Sequence, residues 1–364
     1  YQARRHIPIL DGVRAISILL VVTYHPAYPE VWPIFHGGTG VSIFFVLSGF
    51  LITLLSLREE SKYGDVNLRA FYIRRLFRIG PLFMLAFLLY CVLILGLNME
   101  PERRDSFVAN IPYYLLFLPE HSIYFDASPL PVPFDGSWSL GIEEKFYFVW
   151  PLLGFVVLRF RNRARLVVLT LVAVAATISG WVGGSWGTAL APYGLLAMGC
   201  ILAILLSTPR SYGAVSRLGQ TRWLVPLLLV ITTIQLSTKQ ILPTYPFYVL
   251  YGIVITAVMA GLVTSRARWL GVLSTRPMVL LGQLSYGLYL FHNFGLNLAE
   301  KLIPQTSFLL SLVSTLLGLG ASVLGVWIVH KLIELPCNRL GHRLASRQRP
   351  QPSKPPTQSV LSVE

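Results

Sequence analysis

The chain has 364 residues, 54% of them hydrophobic and only 13% charged, with a mean hydropathy of +0.62. Soluble domains carry about twice that share of charge, so the composition excludes a string of soluble domains and predicts one all-α, polytopic membrane bundle. A net charge of +14 would suit a nucleic-acid binder, but the basic residues are spread between apolar runs instead of gathered in one patch, which excludes nucleic acid as the expected partner.

Taken in chain order, apolar runs predict membrane helices near 10–28, 38–57, 79–97, 138–158, 166–183, 187–206, 223–238, 245–264, 277–298 and 308–333, about ten transmembrane helices in all. Basic clusters alternate with them: Arg4 and Arg5, Arg58 through Arg78, Arg159 through Arg165, Arg210 through Arg222, Arg266 through Arg276, and the tail from Arg339. On the opposite side stand Arg103, Arg104, Lys239 and Lys301, while Arg14, Lys145 and Lys331 fall within or at the edge of spans. That asymmetry predicts an integral plasma (inner) membrane protein with the basic loops in the cytoplasm, and an even number of spans puts both termini there. Residues 1–340 form the expected membrane-embedded domain. Residues 341–364 form a cytoplasmic tail, rich in Pro, Ser and Gln and disordered beyond about residue 345.

The longest non-cytoplasmic connection, about 98–137, holds the apolar piece Ile111–Leu118. It is too short to cross a bilayer and reads as a re-entrant or interfacial helix over a cavity. Cys91, Cys200 and Cys337 are scattered without spacing that suits a disulfide framework or a metal, and no metal is expected.

The first span places Asp11 and Arg14 near one end and His25 near the other. Eleven helical positions amount to roughly 16 Å of rise and nearly whole turns, so Arg14 and His25 share a face about half a bilayer core apart. Ionisable groups in a span are costly and face a cavity or a partner; the alternative is that Arg14 snorkels to the interface and His25 marks the other. Asp11 is one turn from Arg14 and reads as its orienter or charge partner. A histidine titrates near neutrality and can take a proton from a hydroxyl. On the functional reading, Arg14 lines a channel leading from the cytoplasmic face towards His25.

Four further motifs follow: Gly37-Gly38…Gly40-Val41…Phe44-Phe45-Val46-x-Ser48-Gly49-Phe50; Arg74-Arg75-x-x-Arg78-x-x-Pro81; Ser137-Trp138-Ser139-Leu140-x-x-Glu143-Glu144; and Ser285-Tyr286-Gly287-Leu288-Tyr289-Leu290-Phe291-His292. With the Arg-x10-His of the first span, this order resembles the membrane acyltransferase-3 family, O-acyltransferases of which many acetylate surface carbohydrates. The resemblance runs from about residue 7 to 340. It implies transfer of an acyl group, acetyl in the first instance, from cytoplasmic acyl-CoA to a hydroxyl of a carbohydrate or glycolipid acceptor.

His25 resembles the family's catalytic histidine and Arg75-x-x-Arg78 its donor-binding pair. With Arg74, these guanidinium groups would hold coenzyme phosphates, although a topogenic basic loop explains the same charges. The match at Glu143 implies a carboxylate that holds an acceptor hydroxyl or a basic side chain near the cavity. His292 reads first as a satisfied interfacial histidine. His36 and His121 receive the same reading, and Glu334 either faces the interior or ends a helix. Relatives that acylate macrolides or other small molecules leave the acceptor open, and a transporter or flippase of lipid-linked sugars is the rival from another class.

Overall fold

The computed structural model describes residues 7–23, 38–126, 130–236, 244–303 and 307–347. Among them there is no strand, and fifteen α-helices follow in order: α1 (Pro8–Val22), α2 (Thr39–Tyr63), α3 (Leu68–Cys91), α4 (Arg104–Leu115), α5 (His121–Tyr124), α6 (Trp138–Leu152), α7 (Asn162–Val182), α8 (Gly184–Leu190), α9 (Pro192–Ser207), α10 (Pro209–Val215), α11 (Thr221–Leu236), α12 (Thr244–Thr264), α13 (Arg276–Leu302), α14 (Phe308–Val329) and α15 (Leu335–Ser346). Single π-helical turns extend α3 over Val92–Gly96 and α6 over Leu153–Val157, and join α14 to α15 over His330–Glu334.

Each predicted apolar run coincides with a helix, yet the expected count of about ten spans is not established. Five helices are long and apolar enough to cross a membrane: Thr39–Tyr63, Leu68–Gly96, Asn162–Val182, Gly184–Ser207 and Phe308–Ser346. A sixth results if Tyr248–Thr264 and Arg268–Ser274, bent by 105°, form one broken span. The shortfall has a physical cause. α6 interrupts its apolar sequence with Glu143, Glu144 and Lys145, and α13 carries Gln283, His292, Asn293 and Asn297. The described part of α1 stops at Val22, and Thr23 follows it. The tail expected to be disordered lies, from residue 348, outside the described residues.

α2 packs along α9, and α13 packs between α1 and α14. Glycine permits both contacts, because small residues allow backbones in membranes to approach closely. A Cβ at Gly49 of α2 would collide with the Leu196 carbonyl of α9, and one at Gly199 with the Val46 carbonyl of α2. Gly282 of α13 lies against the backbone of Asp11, so α13 fixes the end of α1 that carries Asp11 and Arg14.

The long connection folds into α4 and α5 and the loop leading to α6. Ile111–Leu118 falls in the last turns of α4 and just beyond, and Pro112 sits inside that helix. Phe107 and Tyr114 of α4 bury their rings with Phe87 of α3 and Phe134, and the Tyr114 hydroxyl donates to the Pro133 carbonyl at 2.9 Å. Lys145 on α6 pairs with Glu120 just before α5, which ties this segment to the bundle.

The arginines expected in loops behave differently. α3 begins at Leu68, so Arg74, Arg75 and Arg78 lie within a helix. Arg165, expected in a solvent-facing basic cluster, has a fully buried side chain. Its guanidinium donates to both carboxylate oxygens of Glu60 at 2.9 and 2.6 Å, to the Gly154 carbonyl at 2.6 Å and to Asn162 at 2.9 Å. The Phe160 amide completes Glu60 at 3.1 Å. A buried pair is tolerable only when satisfied in this way.

Removing one partner of such a pair costs about 3–5 kcal/mol. Arg165→Ala and Glu60→Ala should therefore each lower the thermal unfolding midpoint of the detergent-purified chain. The double change Glu60→Leu with Arg165→Met should cost less than either, and a larger loss in the double variant would contradict this account.

Candidate functional site

Four helices place ionisable side chains at one junction. α1 brings Arg14, joined to Asp11 at 3.1 Å with both largely buried. α6 brings Glu143, whose carboxylate accepts from Ser48 of α2 at 3.0 Å and from the Tyr147 hydroxyl at 2.9 Å. α3 brings Arg75, 4.0 Å from Glu143 and 3.6 Å from Glu144, with its guanidinium stacked 3.4 Å above the Tyr147 ring. Arg75 Nε and Glu144 Oε1 are both buried, and neither has a hydrogen-bond partner. The fourth contribution is Glu334, buried in the π-helical turn between α14 and α15 and 2.8 Å from the Nδ1 of His330.

Arg78 is one turn beyond Arg75 and lies within electrostatic range of Arg14, Arg75, Glu334 and Tyr147. Groups from three other helices therefore surround it. Its side chain is nevertheless exposed to open space, and among the described residues it makes no ion pair or hydrogen bond. A guanidinium near two others of the same charge has the geometry and charge to bind a planar anion. Arg74 is not part of this set; it pairs with Glu59 at 3.7 Å.

A cavity of about 420 Å³ opens further along the same helices. Its walls include Val21 of α1, Phe45 of α2, Trp138 of α6, Tyr124, and Tyr289 and His292 of α13. Each helix leads from the cavity to the charged junction: Val21 to Arg14, Phe45 to Ser48, Trp138 to Glu143, Tyr289 to Tyr286. The volume suits a small ligand, and the walls combine aromatic rings with a few hydroxyls.

His292 is 3% exposed, with its Nδ1 2.9 Å from the Leu288 carbonyl and 3.0 Å from that of Tyr289. Both partners are acceptors, so Nδ1 donates to them. His292 is thus a satisfied histidine, as expected, and it is also a buried residue of the cavity wall. His121 is 3.2 Å from Asn110 and stacks on Tyr113. Glu334 does not end a helix, since α15 continues from it. His25 and His36 lie outside the described residues.

Sequence reasoning missed Tyr147 and Asp135, and it quoted Tyr286 and Tyr289 in a motif without giving them a role. Tyr147 stands four positions after Glu143, a spacing that puts side chains together on a helix, so it was accessible in principle. Tyr286, Tyr289 and His292 recur every three residues on α13. The Tyr289 hydroxyl is 2.7 Å from Ser139, and that of Tyr286 donates to the Ile79 carbonyl at 2.8 Å. Asp135, beside Gly136 of the cavity wall, carried no local signal. Burial pushes its carboxyl above the ordinary aspartate range, against the opposing pull of the Gly136 amide and Arg103.

The chain is similar to three bacterial proteins. It is 28% identical to the peptidoglycan O-acetyltransferase OatA of Listeria monocytogenes, over 93% of this chain and 57% of that protein. It is 34% identical to the putative peptidoglycan O-acetyltransferase YrhL of Bacillus subtilis, over 80% of this chain and 49% of the relative. It is 29% identical to the O-acetyltransferase OatA of Staphylococcus aureus, over 79% and 50%. The chain thus spans about half the length of the relatives it matches. No solved structure matches it. The family model described as an acyltransferase domain matches residues 7–331, covering α1 through α14 and thus Arg14, Arg75, Arg78 and Glu143 of the charged junction but not Glu334: the chain belongs to the acyltransferase-3 family of membrane proteins.

Proposed function

We propose that the chain is a membrane O-acyltransferase that moves an acetyl group from cytoplasmic acyl-CoA to a hydroxyl of a cell-wall carbohydrate. The acceptor class follows the peptidoglycan named for the Listeria and Bacillus relatives. The observation that carries the donor half is Arg78, a guanidinium without a partner among the described residues, set in a recess beside Arg14 and Arg75. Recognition rests on that open fork and not on net charge, because the carboxyl groups of the junction (Asp11, Glu143, Glu144 and Glu334) outnumber its three guanidinium groups. A coenzyme phosphate would be held by Arg78, with Arg75 kept in place by Glu143 and the Tyr147 ring.

Acyl transfer then needs a base at the acceptor. His25 fills that role in this reading. It takes the proton of the acceptor hydroxyl as the oxygen attacks the thioester carbonyl. The new C–O bond forms, the C–S bond breaks, and the coenzyme leaves as a thiolate that receives the proton from the imidazolium. His25 stands four positions after Val21 of the cavity wall, the cavity would seat the acceptor, and Arg14 would line the way between the two substrates. A transporter of lipid-linked sugars would also keep ionisable groups in its interior. Lipid-linked sugars carry phosphate as well, so the open guanidinium alone does not separate the two; comparing muropeptide masses from cells with and without the gene does. A gain of one acetyl mass per modified sugar is expected, and identical masses would contradict the proposal.

Two sets of variants test the roles. His25→Ala should lower turnover by about 10²–10⁴-fold while leaving acetyl-CoA binding near normal, and near-normal turnover would remove His25 from the mechanism. A charge-assisted contact contributes about 1.5–3 kcal/mol. Arg78→Ala should therefore raise the apparent KM for acetyl-CoA about tenfold or more, with partial rescue by Lys. A raised acceptor KM with an unchanged donor KM would place Arg78 on the wrong substrate. Arg74→Ala, which removes the guanidinium paired with Glu59, serves as the comparison and should leave the donor KM within about twofold.

A further inference from the structure

A second recess lies on the far side of α1 from the charged junction, between α1, α11, α12 and the short 3-10 helix Arg268–Ser274. It is an apolar cleft of about 360 Å³, with Ile16 and Leu20 on one wall, Leu228 and Ile231 on another, and Met259 and Trp269 closing it. A shallower depression of about 290 Å³ adjoins it and shares Leu228, Thr232 and Trp269. Trp269, about half exposed, therefore stands between two apolar troughs.

The chain bends by 105° between α12 and the 3-10 helix, and this bend gathers the basic residues. Arg266 and Arg268 sit at it, and Arg276 begins α13 beyond the other end of the 3-10 helix; all three are exposed. Among the described residues none of them makes an ion pair. The sequence offers no local counter-charge either, since no Asp or Glu occurs between Glu144 and Glu300. Exposed arginines next to a tryptophan at the end of an apolar cleft match the headgroup and chain regions of a lipid.

We propose that this surface is a binding site for one anionic diacyl glycerophospholipid. Its two chains lie in the troughs on either side of Trp269, and its phosphate rests among Arg266, Arg268 and Arg276. General topogenic charge accounts for arginines on this side of the protein, but not for Arg268 standing next to Trp269, which lines both troughs. Ile16 and Leu20 belong to the helix that carries Arg14, so the lipid would also support α1 from the side opposite the donor recess.

Native mass spectrometry of the full chain, released from detergent with phosphatidylglycerol and phosphatidylcholine of identical chains, tests the site. One phosphatidylglycerol should be retained at least tenfold more strongly than phosphatidylcholine. Lyso-phosphatidylglycerol, with a single chain, should be retained about tenfold less than the diacyl lipid. The triple variant R266Q/R268Q/R276Q should bring phosphatidylglycerol down to the phosphatidylcholine level. Should that variant fail to fold, R268Q alone should reduce the preference at least threefold. Equal retention of the two headgroups would overturn the proposal. So would an unchanged preference in the variants, tighter binding of a single-chain polyprenyl phosphate, or a protein dimer covering the cleft.

Discussion

Like charges held together in a low-dielectric interior repel strongly unless opposite charges and fixed dipoles surround them. Arg14, Arg75 and Arg78 are held together in this way, and much of the bundle can be read as the means of doing so. Asp11 takes up Arg14 within α1, and Glu143 and Glu144 take up Arg75 across the α3–α6 boundary. Glu143 is in turn fixed by Ser48 and Tyr147. Glu334 lies within electrostatic range of Arg78 while bound to His330. Among the described residues this arrangement leaves Arg78 without an ion pair or hydrogen bond, and the proposed donor site rests on that residual capacity.

Such an arrangement needs helices that do not slide. The close approach of Gly282 to the Asp11 backbone sets the height of α1 on α13, so Arg14 and the Tyr286–Tyr289–His292 face are registered to one another. The reciprocal contacts at Gly49 and Gly199 do the same for α2 on α9 and thereby place Ser48. At the other end of α2, Glu60 closes on Arg165 and fixes the start of α7. Small residues and a satisfied buried ion pair do the work that a hydrophobic driving force cannot do between helices in lipid.

Much of this was legible in the sequence. Apolar runs located the helices, since hydropathy and length govern them directly. Arg75, Arg78, Arg14 and Glu143 were identified before their proximity was known, because ionisable residues in apolar sequence are rarely idle. The span count was not legible, since helices that line a polar interior, such as α6 and α13, lose the uniform hydropathy by which spans are counted. Arg165 was misread because a basic cluster beside a span looks topogenic whether or not one member turns inward to a carboxylate 105 positions away. Arg74 was grouped with its neighbours because sequence adjacency does not report helix face, and on a helix its azimuth differs from that of Arg75 by about 100°. Ser48 and Tyr289 meet their partners only through tertiary contacts across helices, which no local pattern encodes.

The central claim is that acyl-CoA is received at the junction of α1, α3, α6 and the α14–α15 turn. A cryo-electron microscopy structure of the full chain with acetyl-CoA tests it most directly. The account predicts a coenzyme phosphate within hydrogen-bond distance of the Arg78 guanidinium and the thioester directed along α1 towards the cavity that holds His292. Coenzyme bound elsewhere, or Arg78 turned to the lipid headgroups with the coenzyme in place, would contradict it.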